Sequence, residues 1–380
     1  MSKVGIISWA QTEFKERRED VHRGELVYQV SKEVLEKAKI DIKDVDSVIS
    51  ASCDTVDGIS ISNAFVAEAM GAFMKEESKV EQDGIYALMY AYHRLLIGHW
   101  RTALVVAHGK TSDAGEAFYS NMSCDPFLLR PLGLEQISAA ALQAQVYCDK
   151  YKVSEKDAAK VVIKNRKNGA LNKYAQLKSP VTLDEVMNSP YLASPIKKLD
   201  SPAYSDGAAA VLLATEEFAK SVCKNPVWIE GVGFYQDVYY PGYKDLSKSI
   251  SCQLAAKKAY SEAGIKEPLK EIDFAEISEN FSFYELMLYE NLFLCKEGEG
   301  KKLIQDGITE IDGKFPVNPS GGTLCANSIM VAGLVRIIEA VRQLTNSADA
   351  HQLKKDLKKA LVHGTDGLFL QSNIVFVLGV

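Results

Sequence analysis

No stretch of this chain holds the roughly 20 consecutive apolar residues that would cross a bilayer as a helix. Its first residues, Met1-Ser2-Lys3-Val4-Gly5-Ile6-Ile7, enter a strand-like segment directly, without a basic and apolar leader pattern. A membrane role and secretion are therefore not expected. Cysteine is sparse: seven, at 53, 124, 148, 223, 252, 295 and 325, odd in number and never in a CxxC pair. That argues against a disulfide framework and against a structural metal site, and predicts reduced thiols in the cytoplasm. Positive charge is also short, with 44 basic against 50 acidic residues and a formal charge of -6, so nothing attracts a phosphate backbone in general and nucleic acid is excluded as a partner. The 47% hydrophobic and 25% charged residues over 380 positions instead suit a folded protein with two core-bearing lobes.

Two segments share one pattern. Residues 25–52 read as a helix (ELVYQVSKEVLEKAKI), a charged turn with Asp44 and Asp46, and an apolar strand (SVISAS). Residues 252–279 repeat it as CQLAAKKAYSEAGI, a turn with Glu271 and Asp273, and FAEISE. Apolar residues recur at steps of three and four in both helices, giving one buried stripe. A second pair follows in the same order: a helix and the strand ALVVAHGK within 84–110, then VAGLVRIIEAVRQL and ALVHG within 331–364. The two strands end on His108-Gly109 and His363-Gly364. Two matched pairs half a chain length apart predict a duplicated β–α–β architecture of the α/β class. The expected halves are 1–220 and 221–380.

Residues of about 115–200 break this pattern. Asp125-Pro126, Arg130-Pro131-Leu132-Gly133, Ser189-Pro190 and Ser194-Pro195 punctuate loops around two helical stretches. Ser154 with Asp157 predicts a capped helix start. This region is expected to be an insertion that caps the first half.

The runs Lys164-Asn165-Arg166-Lys167-Asn168, Ser205-Asp206-Gly207-Ala208-Ala209-Ala210 and Pro316-Val317-Asn318-Pro319-Ser320-Gly321-Gly322 have a specific order. So do Glu285-Leu286 with Tyr289-Glu290, Gly298-Glu299-Gly300 and Asp306-Gly307. With these markers the whole chain resembles the thiolase superfamily, in its SCP2-type branch. The resemblance implies the thiolase fold, two βαβαβ-type halves in an αβαβα layering with an inserted loop domain. It implies acyl-CoA as ligand, no permanently bound cofactor and a homodimer or larger assembly. It also implies a partner: a small DUF35 zinc-ribbon/OB-fold protein or a second thiolase-type subunit.

Thiolase chemistry uses a cysteine nucleophile at a helix N-terminus, a histidine that moves protons, and donors that hold an oxyanion or enolate. The family's Val-Glu-x-x-Cys-Ala-Ser-Gly-like stretch reads here as Val80-Glu81-Gln82-Asp83-Gly84, with the cysteine deleted. Asp83 is instead an expected N-cap that disfavours another anion there. By alignment, Asn327 stands where the family has histidine, and an amide donates hydrogen bonds but is no base near neutrality. The branch's His-Asp-Cys-Phe reads Ser278-Glu279-Asn280-Phe281, while His363 retains an ionisable group.

The candidate catalytic residues are therefore His363, Asn327, Glu279, Tyr86 and Tyr284. The two tyrosines enter because thiolase-like aldolases without the cysteine are held to use tyrosine for proton transfer. Each has a plainer alternative: a structural histidine, a capping or paired carboxylate, tyrosines packed in the core. Cys325, a further thiol near the expected site, reads as a small buried residue. For coenzyme A the candidates are Lys164, Arg166 and Lys167, as phosphate contacts or a solvated helix face, with Ser320, Gly321 and Gly322 along the pantetheine. No metal ligands are expected. Three functions remain open: a catalytically silent subunit of an acyltransferase complex, a cysteine-independent retro-aldolase of a hydroxyacyl-CoA, or an acyl-CoA binding scaffold.

Overall fold

A computed structural model describes residues 3–380. Its strands are β1 (Val4–Gln11), β2 (Ser47–Ala51), β3 (Glu76–Val80), β4 (Thr102–Lys110), β5 (Tyr191–Ala193), β6 (Ile196–Lys197), β7 (Asp206–Thr215), β8 (Val227–Gln236), β9 (Phe274–Ile277), β10 (Lys359–Asp366) and β11 (Ser372–Gly379). Apart from the β5–β6 hairpin they form one sheet in the order β3-β2-β4-β7-β1-β8-β11-β10-β9. Read outward from the β1–β8 seam, the order β1, β7, β4, β2 mirrors β8, β11, β10, β9. The β2–β4 and β9–β10 pairs are both parallel, whereas the neighbours nearer the seam are antiparallel on both sides. The predicted helix–strand repeats therefore occupy matching places. The halves are not separate sheets: Gly5 opposite Trp228 and Ile6 opposite Val227 join them along the seam.

The helices supply the layering. Arg23–Ala38 starts at His22, whose ring accepts from the Gly24 N–H while the Glu25 carboxylate accepts from the His22 N–H. It buries Leu26, Val27, Val30 and Val34 against one outer face of the sheet. Ile250–Ala263 does the same for the other half, burying Cys252, Ala255, Ala256 and Ala259. Between them lie Gly84–Leu96 and Ala332–Leu344, which share one core with side chains from both halves of the sheet. Every residue of Ala332–Leu344 is buried, so its polar groups need internal partners. Arg336 donates to Glu276 at 2.8 Å and to the Ser320 hydroxyl at 2.7 Å, and Glu339 accepts from Gln11 at 2.8 Å.

The inserted region places Gln136–Tyr151 and Glu155–Gly169 over the second half, not the first as expected, because their buried faces share a core with Ile250–Ala263 and Ser282–Asn291. Ser154 caps the latter as predicted: its hydroxyl accepts from the Asp157 N–H, and the Asp157 carboxylate accepts from the Ser154 N–H. Ahead of this pair, the short helix Glu116–Met122 lines a cleft that holds ionisable side chains.

Candidate active site

A cleft with about 680 Å³ of open space lies where β10 ends and Gly84–Leu96 begins. The loop after β9, the 327–333 segment and Glu116–Met122 complete its walls. Two carboxyl side chains line the cleft. Asp83 caps the central helix, accepting from the N–H of Ile85 at 2.9 Å and of Gly333 at 2.9 Å. Burial still pushes its carboxyl above the usual range. Asp366 closes β10 at the rim, half-buried. Its carboxyl is pushed up to about 6, chiefly by burial and further by the Asp83 charge, against the bond from the Gly367 N–H at 2.7 Å. A carboxyl beside another acid holds its proton more tightly, and here the effect falls on Asp366.

Tyr119, on Glu116–Met122, also lines the cleft. Burial, then the nearby Asp366, lift its hydroxyl well above a tyrosine's ordinary value, so it remains a proton donor at neutral pH. Two amides, Asn327 and Asn280, also line the cleft. The Asn327 backbone is anchored to Ala203 and Ser205 at 2.8 and 2.9 Å. Asn280 holds a φ of 32°, a left-handed conformation uncommon outside glycine, in the turn leading into Ser282–Asn291. The Ser278 hydroxyl lies buried beside it with no hydrogen-bond partner. Among the described residues no cysteine, lysine, arginine or histidine lines the cleft, and no group of three or more potential metal ligands converges anywhere.

Of the five candidate catalytic residues read from the sequence, only Asn327 lies in this cleft. His363 points to the far face of β10, where its Nε2 meets Asn373 Oδ1 at 2.9 Å, and burial lowers its pKa to about 4. Tyr86 is core, its ring edge-on to Phe234 at 5.5 Å. Tyr284 packs against Phe281 within the other core. Glu279 sits one residue from the cleft but turns inward, accepting from Asn165, Leu324 and Asn318 at 3.0–3.1 Å. Burial and the adjacent Glu285 raise its pKa. For these four the packed and paired alternatives describe the fold.

The coenzyme A candidates divide likewise. Lys164 is wholly buried, paired with Glu285 at 2.6 Å and donating to the Val317 carbonyl at 2.7 Å, so it cannot meet a phosphate. Arg166 is half-buried on the Ser179 carbonyl, and Lys167 is exposed. Ser320 is consumed by Glu276. Gly321 and Gly322, at φ 97° and 65°, let the chain pass close to its own Gly169 and Glu279, where a Cβ would collide. Their close approach serves the fold. Cys325 is buried, donates to the Asn165 carbonyl at 3.2 Å, and is pushed up to about 12, no reactive thiolate.

Sequence reasoning missed Asp366 and Tyr119. For Asp366 a signal existed: along a strand alternate residues share a face, so Asp366 follows Val362 and Gly364 toward the central helices while His363 turns away. Tyr119 lies in the irregular insertion, where no periodicity marks it.

A duplicated layered fold around a cleft at the start of a buried helix defines a thiolase-type protein. The match is direct: residues 4–217 fit the family described as "Thiolase, N-terminal domain" and 240–380 fit "Thiolase C-terminal domain-like". The chain belongs to the thiolase superfamily. Within it, the chain is of the SCP2 type. Bos taurus sterol carrier protein 2 is 32% identical over 57% of this chain and 41% of that protein. The "benzoylsuccinyl-CoA thiolase subunit BbsB" of Thauera aromatica is 31% identical over 60% of this chain and 59% of that protein, so the match spans under two thirds of that relative. Among solved structures, the "Ltp2-ChsH2(DUF35) aldolase" superposes with a TM-score of 0.84 at 23% identity, over 99% of this chain and 97% of that one. No helix among the described residues is long and apolar enough to cross a membrane.

Proposed function

We propose that this chain cleaves or forms carbon–carbon bonds in acyl-CoA thioesters by aldol chemistry, without an acyl-enzyme. The observation that carries the reading is the substitution of chemistry at the helix N-terminus. Where a thiolate would attack, Asp83 and Asp366 stand with raised pKa values, together with Tyr119. A carboxylate poised near 6 is a competent base at neutral pH and a poor nucleophile for a lasting thioester exchange.

In the cleavage direction Asp366 takes the proton of the β-hydroxyl. The Cα–Cβ bond breaks, Cβ becomes a carbonyl, and the bonding electrons pass into the thioester as an enolate. Asn327 and Asn280 donate to the enolate oxygen. Tyr119 gives a proton to Cα and regains one from solvent, and Asp366 releases its proton to solvent, leaving an acyl-CoA, a carbonyl compound and the enzyme in its starting state. The name of the Ltp2-ChsH2(DUF35) structure supports both an aldolase role and a DUF35 partner for this chain. The BbsB name supports service as one subunit of a larger enzyme. Cytoplasmic location, a homodimeric core and a division near residue 220 belong to the same proposal. The test is turnover of a 3-hydroxyacyl-CoA with and without the DUF35-type partner. Release of acyl-CoA and a carbonyl product supports the aldol reading. Activity confined to thiolytic cleavage of a 3-ketoacyl-CoA contradicts it.

A further inference from the structure

Charge in the cleft restricts what the carbonyl half of the substrate can be. Both ionisable carboxyls there, Asp83 and Asp366, are acids, and Tyr119 adds a neutral donor. Among the described residues no cationic side chain lines the walls. The cation whose field reaches Asp83, Arg336, is buried and already committed to Glu276 and Ser320. A substrate carboxylate brought into this space would lose its water, meet two acid side chains and find no positive partner. Selectivity built from such a mismatch is as effective as an added attraction.

The walls are not apolar, however. Gln136 lines the cleft from the inserted region and Ser278 from the β9 end, while the nearby hydroxyls of Ser120, Ser123 and Thr365 already donate to the carbonyls of Ala117, Tyr119 and Ser372. The Ser278 hydroxyl is buried with no partner inside the protein, a cost that a ligand hydroxyl or carbonyl would relieve. An apolar ligand would leave it unsatisfied.

Resting on the aldol reading above, we infer that the carbonyl compound released or accepted by this site is uncharged and bears hydroxyl groups. It is not a keto acid or an aldehyde acid. The same restriction applies to the hydroxyacyl group of the thioester beyond Cβ. Hydroxyl and amide side chains recognise it, while the acid pair rejects carboxylates.

Two measurements on the full chain, with its DUF35-type partner where one is required, separate this inference from the reading beneath it. The first is exchange of the Cα protons of acetyl-CoA with deuterated solvent, which reports enolate formation and involves no carbonyl compound. The second is condensation of acetyl-CoA with three aldehydes of similar size: glycolaldehyde, propanal and glyoxylate. We expect Cα exchange, with glycolaldehyde used at least about tenfold better than glyoxylate and better than propanal. Exchange accompanied by equal or preferred use of glyoxylate or propanal, or by no adduct with glycolaldehyde, overturns the inference and leaves the aldol reading standing. Absence of exchange overturns the aldol reading and the inference with it.

Discussion

Asp366 and His363 lie three residues apart on one strand, yet one reaches the cleft and the other a hydrogen bond to Asn373 on the opposite face. Activity should follow the first. In the proposed reaction Asp366 is the base, and its carboxyl is pushed up to about 6, so kcat/KM should rise as pH increases through 6 and level off above 7. Asp366→Asn should lower it by about 10²- to 10⁴-fold and remove that rise. A pH–rate profile checks both. Tyr119→Phe should cost at least about 10²-fold, whereas Tyr86→Phe and Tyr284→Phe should leave turnover unchanged. Equal losses at all three tyrosines would contradict the placement. Chemistry at this scale was partly legible: Asp83 as N-cap and Asn327 follow from spacing and alignment. Asp366 was less legible because the family resemblance marks His363, which strand alternation turns to the opposite face. Tyr119 was hidden because tertiary packing alone, with no local pattern, brings it to the cleft.

At the scale of elements, the basic run 164–167 illustrates how a motif changes meaning once folded. A helix exposes residues on one face and buries those about half a turn away, and Lys164 falls on the buried face of Glu155–Gly169 beside Glu285. Glu285 also accepts from Tyr289, and Asn165 and Asn318 bridge it to Glu279. This network ties the inserted helices to Ser282–Asn291 and to the loop that carries Ser278 and Asn280 into the cleft. Lys164→Met would leave a buried, uncompensated carboxylate and should destabilise the fold by about 3–5 kcal/mol. Urea denaturation measures this. A phosphate-binding role would instead predict weaker coenzyme A binding at unchanged stability. The amphipathic helices and their strands were readable from periodicity, since each buries one stripe. The partners of buried charges were not, because contacts such as Lys164–Glu285 or Arg336–Glu276 join residues far apart in sequence.

Over the whole molecule, the duplication read from two helix–strand pairs reappears as mirrored strand order about the β1–β8 seam. The seam itself was not foreseen, because two short pairings at Gly5 and Ile6 carry it. Acid sensitivity belongs to this scale too. His363 is lowered to about 4 by burial, from an ordinary 6.5, so the unfolded chain binds its proton more readily. Its contribution to stability is present above pH 6.5 and is lost as pH falls through 4. His363→Gln should therefore reduce the drop in unfolding free energy between pH 7 and pH 5 by roughly 2 kcal/mol, measured by urea titration at the two pH values.

The central claim is that carbon–carbon chemistry proceeds here with no acyl group carried on the protein. Intact-protein mass spectrometry during turnover of a 3-hydroxyacyl-CoA, run with and without prior iodoacetamide treatment, tests it most directly. The account predicts an unmodified protein mass during steady release of acyl-CoA and carbonyl product, at the same rate after alkylation. A mass increase of one acyl group on a cysteine, abolished together with turnover by iodoacetamide, would contradict it.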